Sequence, residues 1–183
     1  MNKKRILSII MALCLIAGSV LGTQIGVSAK NQKGIKITFN GKSVTLGNSQ
    51  EPKTLKAVEK KLGKKTRLAK GDEEWAGYAY VWEKGKSNLI IMQPSIAMPD
   101  QEDYLGYACL DVNDKNISVA GVKVGMKRAT AYKKLKATYG KKIVKQQKKG
   151  KIYTGITVDA ELGTPIEYEI KNDKVSSISW MRS

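Results

Sequence analysis

Gly63 and Gly140 each close an apolar stripe and are each followed by two lysines, Gly63-Lys64-Lys65 and Gly140-Lys141-Lys142, 77 positions apart. The match extends upstream in the same order: Gly41 with Gly121, Leu55 with Tyr132, Val58 with Leu135 and Leu62 with Tyr139. An ordered set of apolar, stop and basic residues recurring at a spacing of 77, preceded by turn glycines 80 apart, is the signature of an internal repeat. It restricts the chain to two similar units, each too small to bury one face of a sheet alone and so fused to the other.

The local patterns fill in each unit. Ile35 to Phe39 alternates as a half-buried strand, Asn40-Gly41 is a hairpin signal because both turn residues need positive φ, and Ser43 to Leu46 returns as its partner. A helix follows, with Pro52 in its first turn, Leu55, Val58 and Leu62 as its stripe and Gly63 as its stop. Strands are then predicted over Trp75 to Trp82, Ser87 to Gln93 and Tyr104 to Val112, the first two joined at Lys84-Gly85. In the second half, extended segments around Gly121 (Ile117 to Val124) precede a helix from about Lys127 to Tyr139, with Ala129, Tyr132, Leu135 and Tyr139 as its stripe. Ile143 to Gln146, Ile152 to Val158, Ile166 to Lys171 and Val175 to Trp180 read as strands, with turns at Lys149-Gly150 and Asn172-Asp173. The expected architecture is α+β: two tandem helix-plus-antiparallel-meander repeats forming one continuous sheet, with the helices on one face.

Residues 1–29 have the three parts of a secretory signal: Lys3, Lys4 and Arg5, an apolar core from about Ile6 to Leu21, and the small-residue exit Val27-Ser28-Ala29. Cleavage after Ala29 is expected. Retention as an anchor is the alternative, against which the apolar core falls short of the roughly 20 residues of a spanning helix and Gly22, Thr23 and Gln24 interrupt it. Cys14 invites a lipid anchor, but Leu13 stands before it where a small residue is needed, and the apolar run continues beyond it. The domains are then 1–29 signal peptide, 30–112 first repeat and 113–183 second repeat. Cys109, the one cysteine after the signal, has no partner for an internal disulfide and reads as a buried small hydrophobe. An exported chain that relies on packing alone suits a bacterium.

The phrase GVKVGMKRATAYKKLKATYG, Gly121 to Gly140, resembles the "G-x-x-x-G-M, then a helix ending in Y/L-G" signature of the beta-lactamase-inhibitory-protein-like modules, a group that includes the SmpA/OmlA envelope lipoproteins. Gly121, Gly125, Met126 and Gly140 carry the resemblance, which covers most of Ile35 to Trp180, while the first repeat has Leu46-Gly47 in place of Gly-Met and three extra residues before its helix. The resemblance implies one sheet with helices on its convex side and a concave face that binds protein. It also extends to small, Lys-rich secreted proteins of Gram-positive bacteria with the same doubled layout. The inhibitory protein uses disulfides within its repeats, which Cys109 alone cannot form, so inhibition of a beta-lactamase does not carry over and no inhibitory residue maps here.

The residues argue against catalysis. No His is present, which removes the commonest general base and zinc ligand, and neither nucleotide-binding glycine fingerprint is complete. Asp159 and Glu161 could pose as a catalytic carboxylate pair, but they stand in a turn-like DAELGTP segment beside solvent; Asp100, Glu102 and Asp103 lack the spacing of a calcium loop. The chain is therefore expected to be non-enzymatic, with no cofactor and no metal.

Two surfaces remain. Along WAGYAYVW, alternation puts Trp75, Gly77, Ala79 and Val81 on one face and Tyr78, Tyr80 and Trp82 on the other. Small residues admit a close helix, so the first face is assigned to the helices, leaving Tyr78, Tyr80, Trp82, Tyr107, Tyr153 and Trp180 as an aromatic face for an extracellular protein or envelope component. The alternative is that these rings fill a core. The second surface is electrostatic. After the signal is removed the chain holds 30 basic and 16 acidic residues, a net +14, and Asn116 to Val158 holds twelve Lys or Arg and no acid. Lys127, Arg128, Lys133, Lys134, Lys141, Lys142, Lys145, Lys148, Lys149 and Lys151 are candidates for an anionic envelope polymer; the alternative is a solvated helix face. Export leaves no physiological nucleic acid as partner and no membrane span after cleavage. The sequence thus predicts a secreted or wall-associated binding module using its aromatic face, or a basic protein held electrostatically on acidic polymers.

Overall fold

A computed structural model describes residues 34–70, 77–94, 105–160 and 163–182. The signal segment, Trp75, the acids Asp100, Glu102 and Asp103, Tyr104 and Glu161 lie outside the described residues.

Strands β1 (Ile35–Phe39) and β2 (Lys42–Leu46) form the hairpin expected from Asn40-Gly41, whose φ values are 50° and 81°. Helix α1 (Leu55–Leu62) follows, then β3 (Arg67–Lys70), β4 (Gly77–Lys84), β5 (Ser87–Pro94) and β6 (Ala108–Val112). The second half runs in the same order: β7 (Ser118–Val119), β8 (Val122–Lys123), α2 (Arg128–Tyr139), β9 (Val144–Lys149), β10 (Ile152–Val158), β11 (Ile166–Lys171) and β12 (Lys174–Arg182). Both helices end on glycines of nearly equal geometry, Gly63 at φ 92° and Gly140 at φ 93°, a backbone that side chains with a Cβ rarely adopt.

The fold is mixed α+β and antiparallel, but its strands divide between two sheets, not one. The smaller has the order β2-β1-β7-β8 and the larger β3-β4-β5-β6-β12-β11-β10-β9. The reason lies in the N-terminal strands of the two halves. Instead of extending the meanders, β1 pairs with β7 (Ile37 opposite Val119), while β6 pairs with β12 (Leu110 opposite Trp180). The small sheet and both helices cover one face of the large sheet, and one apolar core lies between the layers, from Ile35 and Phe39 to Leu110, Ile156 and Ile178. The Tyr168 hydroxyl, on β11, donates to the carbonyl of Val119, on β7, at 3.3 Å and ties the layers at their centre.

Several local expectations need correction. Pro52 precedes α1, because Thr54 is its N-cap and accepts from the amide of Ala57 at 3.2 Å. In α2, Ala131 takes the stripe position with Leu135 and Tyr139, while Tyr132 is half-buried and Ala129 is exposed. Ala129 is six residues before Leu135, roughly 120° round the helix from it. The short β3 was not predicted, since Arg67-Leu68-Ala69-Lys70 has too little apolar pattern, and it forms one edge of the large sheet. Cys109 is half-buried, on the sheet face opposite the helices.

Both ends of β12 anchor a helix approach. At its C-terminal end, Arg182 reaches Glu51 at 2.6 and 2.7 Å and the Leu105 carbonyl at 2.8 Å, while the amide of Gly47 also donates to Glu51. This pair is largely buried, with side chains 12% and 18% exposed. At its N-terminal end, the turn residue Asp173 meets Arg128 at 2.7 Å, and here the acid is 63% exposed.

Candidate polyanion-binding surface

Helix α2 starts without a side-chain cap, on Lys127. Its position comes from the β11–β12 turn: the amide of Arg128 donates to the Asp173 carbonyl at 2.9 Å, Gly125 N–H to Val175 at 2.8 Å, and Val175 N–H back to Met126 at 2.9 Å. Once the start is fixed in this way, the outer surface of the helix needs no capping acid, and its first turn has none.

The structure gathers the candidate lysines round one edge of the large sheet. Lys133 and Lys134 stand exposed on α2, which is about 18 Å long. Lys141 and Lys142 occupy the turn after Gly140, and β9 is the edge strand. On that strand Lys148 lies on the helix side, with Val144 and Gln146, while Lys145 and Lys149 project from the opposite face, and Lys151 is at the hairpin beyond. The cations therefore wrap the edge as a collar and do not line a groove. Among the described residues, Lys127, Lys133, Lys134, Lys141, Lys142, Lys145, Lys149 and Lys151 make no ion pair.

Arg128 is a different case from these lysines. It binds Asp173 and the Gln146 side chain, and its guanidinium stacks 3.7 Å from the centre of the Tyr153 ring. Lys148 lies 4.3 Å from the same ring, and its hydrogen bond to the phenol draws the Tyr153 hydroxyl below its usual range. These two cations are partly committed to holding β10 against α2. Lys174, exposed and bridged to Lys127 across the start of the helix, joins the surface from outside the acid-free run. Only its neighbour in the turn signal, Asp173, stood near it in the sequence pattern.

The aromatic face is found on the other side from the one expected. Trp82 donates from its indole to the carbonyl of Gly63, the C-cap of α1, at 2.9 Å and is 2% exposed. Tyr80 packs on the core with Lys65 above its ring at 4.0 Å, Trp180 is 3% exposed, and Tyr153 is held under α2. The helices cover the rings, and the small residues Ala79 and Val81 face the other way, because the gap beneath two short helices needs large side chains to fill it. Tyr78 and Tyr107 alone of the six are exposed, at 47% and 42%, and they belong to opposite faces: Tyr78 is on the side of Gln93, which accepts from α1, whereas Tyr107 adjoins Met92.

No family model, curated protein or solved structure matches this chain. The functional argument therefore rests on the surface itself. Each lysine near an anionic surface contributes on the order of 1 kcal/mol, an attraction that salt screens. No helix among the described residues is long and apolar enough to cross a membrane.

Proposed function

We propose that this chain is an exported, non-enzymatic protein retained on acidic polymers of a Gram-positive-type cell envelope through the lysine collar of α2 and β9, without cofactor or metal. The observation that carries the reading is the set of exposed lysines drawn from a run of chain without an acid, Asn116 to Val158, on a helix whose start is held by tertiary contacts and on the strand that follows it. A solvated face that served stability alone would mix signs, since opposite charges three or four residues apart add a few tenths of a kcal/mol and like charges subtract it. Lys133 and Lys136 form such a like pair, and Lys127 sits at the positive end of the helix dipole.

The repeated order of hairpin, helix and four strands, meeting end to end in both sheets, supports descent from a doubled module of the inhibitory-protein-like kind. A module gripping an extracellular protein through its aromatic face has less support, because of the six rings only Tyr78 and Tyr107 are exposed, and they lie on opposite faces. Co-sedimentation with isolated cell walls tests the proposal. Binding at low ionic strength that is lost by a few hundred millimolar NaCl is expected, as the screening length contracts from about 10 Å at 0.1 M to about 3 Å at 1 M. Retention that persists in 1 M NaCl would show that the lysines are not what holds the protein.

A further inference from the structure

The face of the large sheet turned away from the helices changes character between its halves. Ala79, Val81, Ile90, Met92 and Cys109 line it in the first half. In the second half, two cross-strand rows replace them: Gln147, Gly155, Glu169 and Ser177, and beside these Lys145, Thr157, Glu167 and Ser179. A cleft of about 230 Å³ opens between the rows.

Its shape comes from two features of β10. Gly155 is buried in mid-strand and leaves the floor without a side chain, and the ladder to β9 shifts register between Tyr153 and Gly155, so that Thr154 stands at the rim. The Gln147 amide leans over this floor, where a Cβ on Gly155 would come within 2.5 Å of its oxygen. One wall is fixed in the anionic form. Ser177 and Ser176 donate to the same oxygen of Glu169, at 2.8 and 3.0 Å, and these hydroxyls hold its carboxyl below the usual range. The other Glu169 oxygen accepts no hydrogen bond among the described residues, and Glu167, two residues along on the same face, makes no ion pair among them.

We infer that this cleft binds the primary ammonium group of an organic cation, seated over Gly155 between Glu167 and Glu169. An ammonium has three donors to distribute, and the two carboxylates with the Ser177 or Thr154 oxygen supply three acceptors. A guanidinium suits the cleft less well, because its fork takes both oxygens of one carboxylate: one Glu169 oxygen already accepts two hydroxyls, so the fork is confined to Glu167 and leaves Glu169 unused. A divalent cation needs more anionic oxygen than is present, for no group of three or more acidic, Cys or His side chains occurs among the described residues. The chain carries a net charge of +17, which opposes the approach of a cation, so binding here rests on the two local carboxylates. The cleft adjoins the lysine collar through Lys145 on β9, which stands in the outer row but does not line the cleft, and it takes a ligand of the opposite sign to the one proposed for the collar.

The test is a titration of the ¹⁵N-labelled protein at 0.15 M ionic strength, followed by amide chemical shifts. Cadaverine and the capped peptide acetyl-Gly-Lys-Gly-amide are the probes, with acetyl-Gly-norleucine-Gly-amide as the uncharged control. Saturable shifts confined to Gln147, Thr154, Gly155 and Glu167 to Glu169, absent with the control, are expected. Tighter binding of cadaverine identifies a free amine as the ligand form, and tighter binding of the peptide a lysine side chain. Glu169→Gln and Glu167→Gln should each weaken binding about tenfold, the loss typical of a charge-assisted bond, and Glu167→Gln leaves the serine contacts in place. Shifts scattered over the surface, no saturation, or equal binding by both variants and the parent overturn the proposal.

Discussion

Helix α1 begins on a side-chain cap, Thr54, and carries an acid, Glu59, that closes on the amide and ammonium of Lys65. Helix α2 holds the same place in the second half, yet it begins on Lys127, which caps nothing, and its sequence has no acid at all. The first helix is stabilised largely from within its own turn. The second depends on the β11–β12 turn for its start, which leaves its outer surface free to be uniformly basic. The contrast separates what the fold requires, apolar stripe and terminal glycine in both, from what differs between halves and so needs another explanation.

The largest expected difference lies in the anchors of the two approaches. Removing either member of the Arg182–Glu51 pair strands a mostly buried charge, so Glu51→Ala should cost about 3–5 kcal/mol in chemical denaturation. Asp173→Asn, which removes the charge of the exposed anchor of α2 and keeps a side chain suited to the positive φ of 57° there, should cost about 0–1 kcal/mol. Equal losses would erase the distinction between a buried and a solvated anchor.

Next in size is the packing of the stripes. Leu62→Ala and Leu135→Ala should each cost about 2–5 kcal/mol. Ala131→Leu should destabilise by about 1–3 kcal/mol through overpacking, whereas Ala129→Leu should stay within about 0.5 kcal/mol. The reverse order would restore the stripe read from sequence.

Alkaline pH affects the second half selectively. Burial pushes Tyr139, the last residue of α2, up to about 12, and its hydroxyl has no partner; its counterpart Leu62 does not titrate. The folded state holds this proton more tightly than the unfolded chain does, so the contribution is complete below about pH 10 and is lost as pH rises towards 12. At about 1.4 kcal/mol per unit this is a loss of roughly 2–3 kcal/mol. Tyr139→Phe should reduce the alkaline loss without abolishing it, because burial also raises Tyr168. At neutral pH the same variant should be neutral or slightly stabilising, as it deletes an unsatisfied hydroxyl. The smallest effect concerns the caps. Thr54→Ala should cost about 1 kcal/mol and Lys127→Ala nearly nothing.

The elements were legible because their signals are local. Asn40-Gly41 specifies its own turn, and Ile152 to Val158 and Ile166 to Lys171 fall where alternation placed them. The division into two sheets was not legible, since the pairing of Ile37 with Val119 joins segments 82 residues apart and leaves no mark on either. Alternation in WAGYAYVW separated the two faces but could not say which one the helices cover. Size decided it, with the Trp82 indole reaching the backbone at the end of α1. The lysine collar was legible as composition, while its wrapping of the sheet edge needed β9 to be placed outermost. The cleft over Gly155 was hidden because it depends on a register shift between Tyr153 and Gly155 that no residue type announces.

The central claim, that retention depends on the α2 and β9 collar and not on net charge, is tested most directly by two variants of equal charge. One carries Lys133→Gln, Lys134→Gln, Lys145→Gln and Lys149→Gln; the other carries Lys56→Gln, Lys60→Gln, Lys61→Gln and Lys64→Gln on and after α1, where the lysines are also exposed. Affinity for isolated cell walls at 0.1 M salt is measured for both. Four contacts of about 1 kcal/mol each predict a loss of a hundredfold or more for the first variant and less than about threefold for the second. Equal losses for the two would mean that the protein binds through its overall charge, and the collar would not be a site.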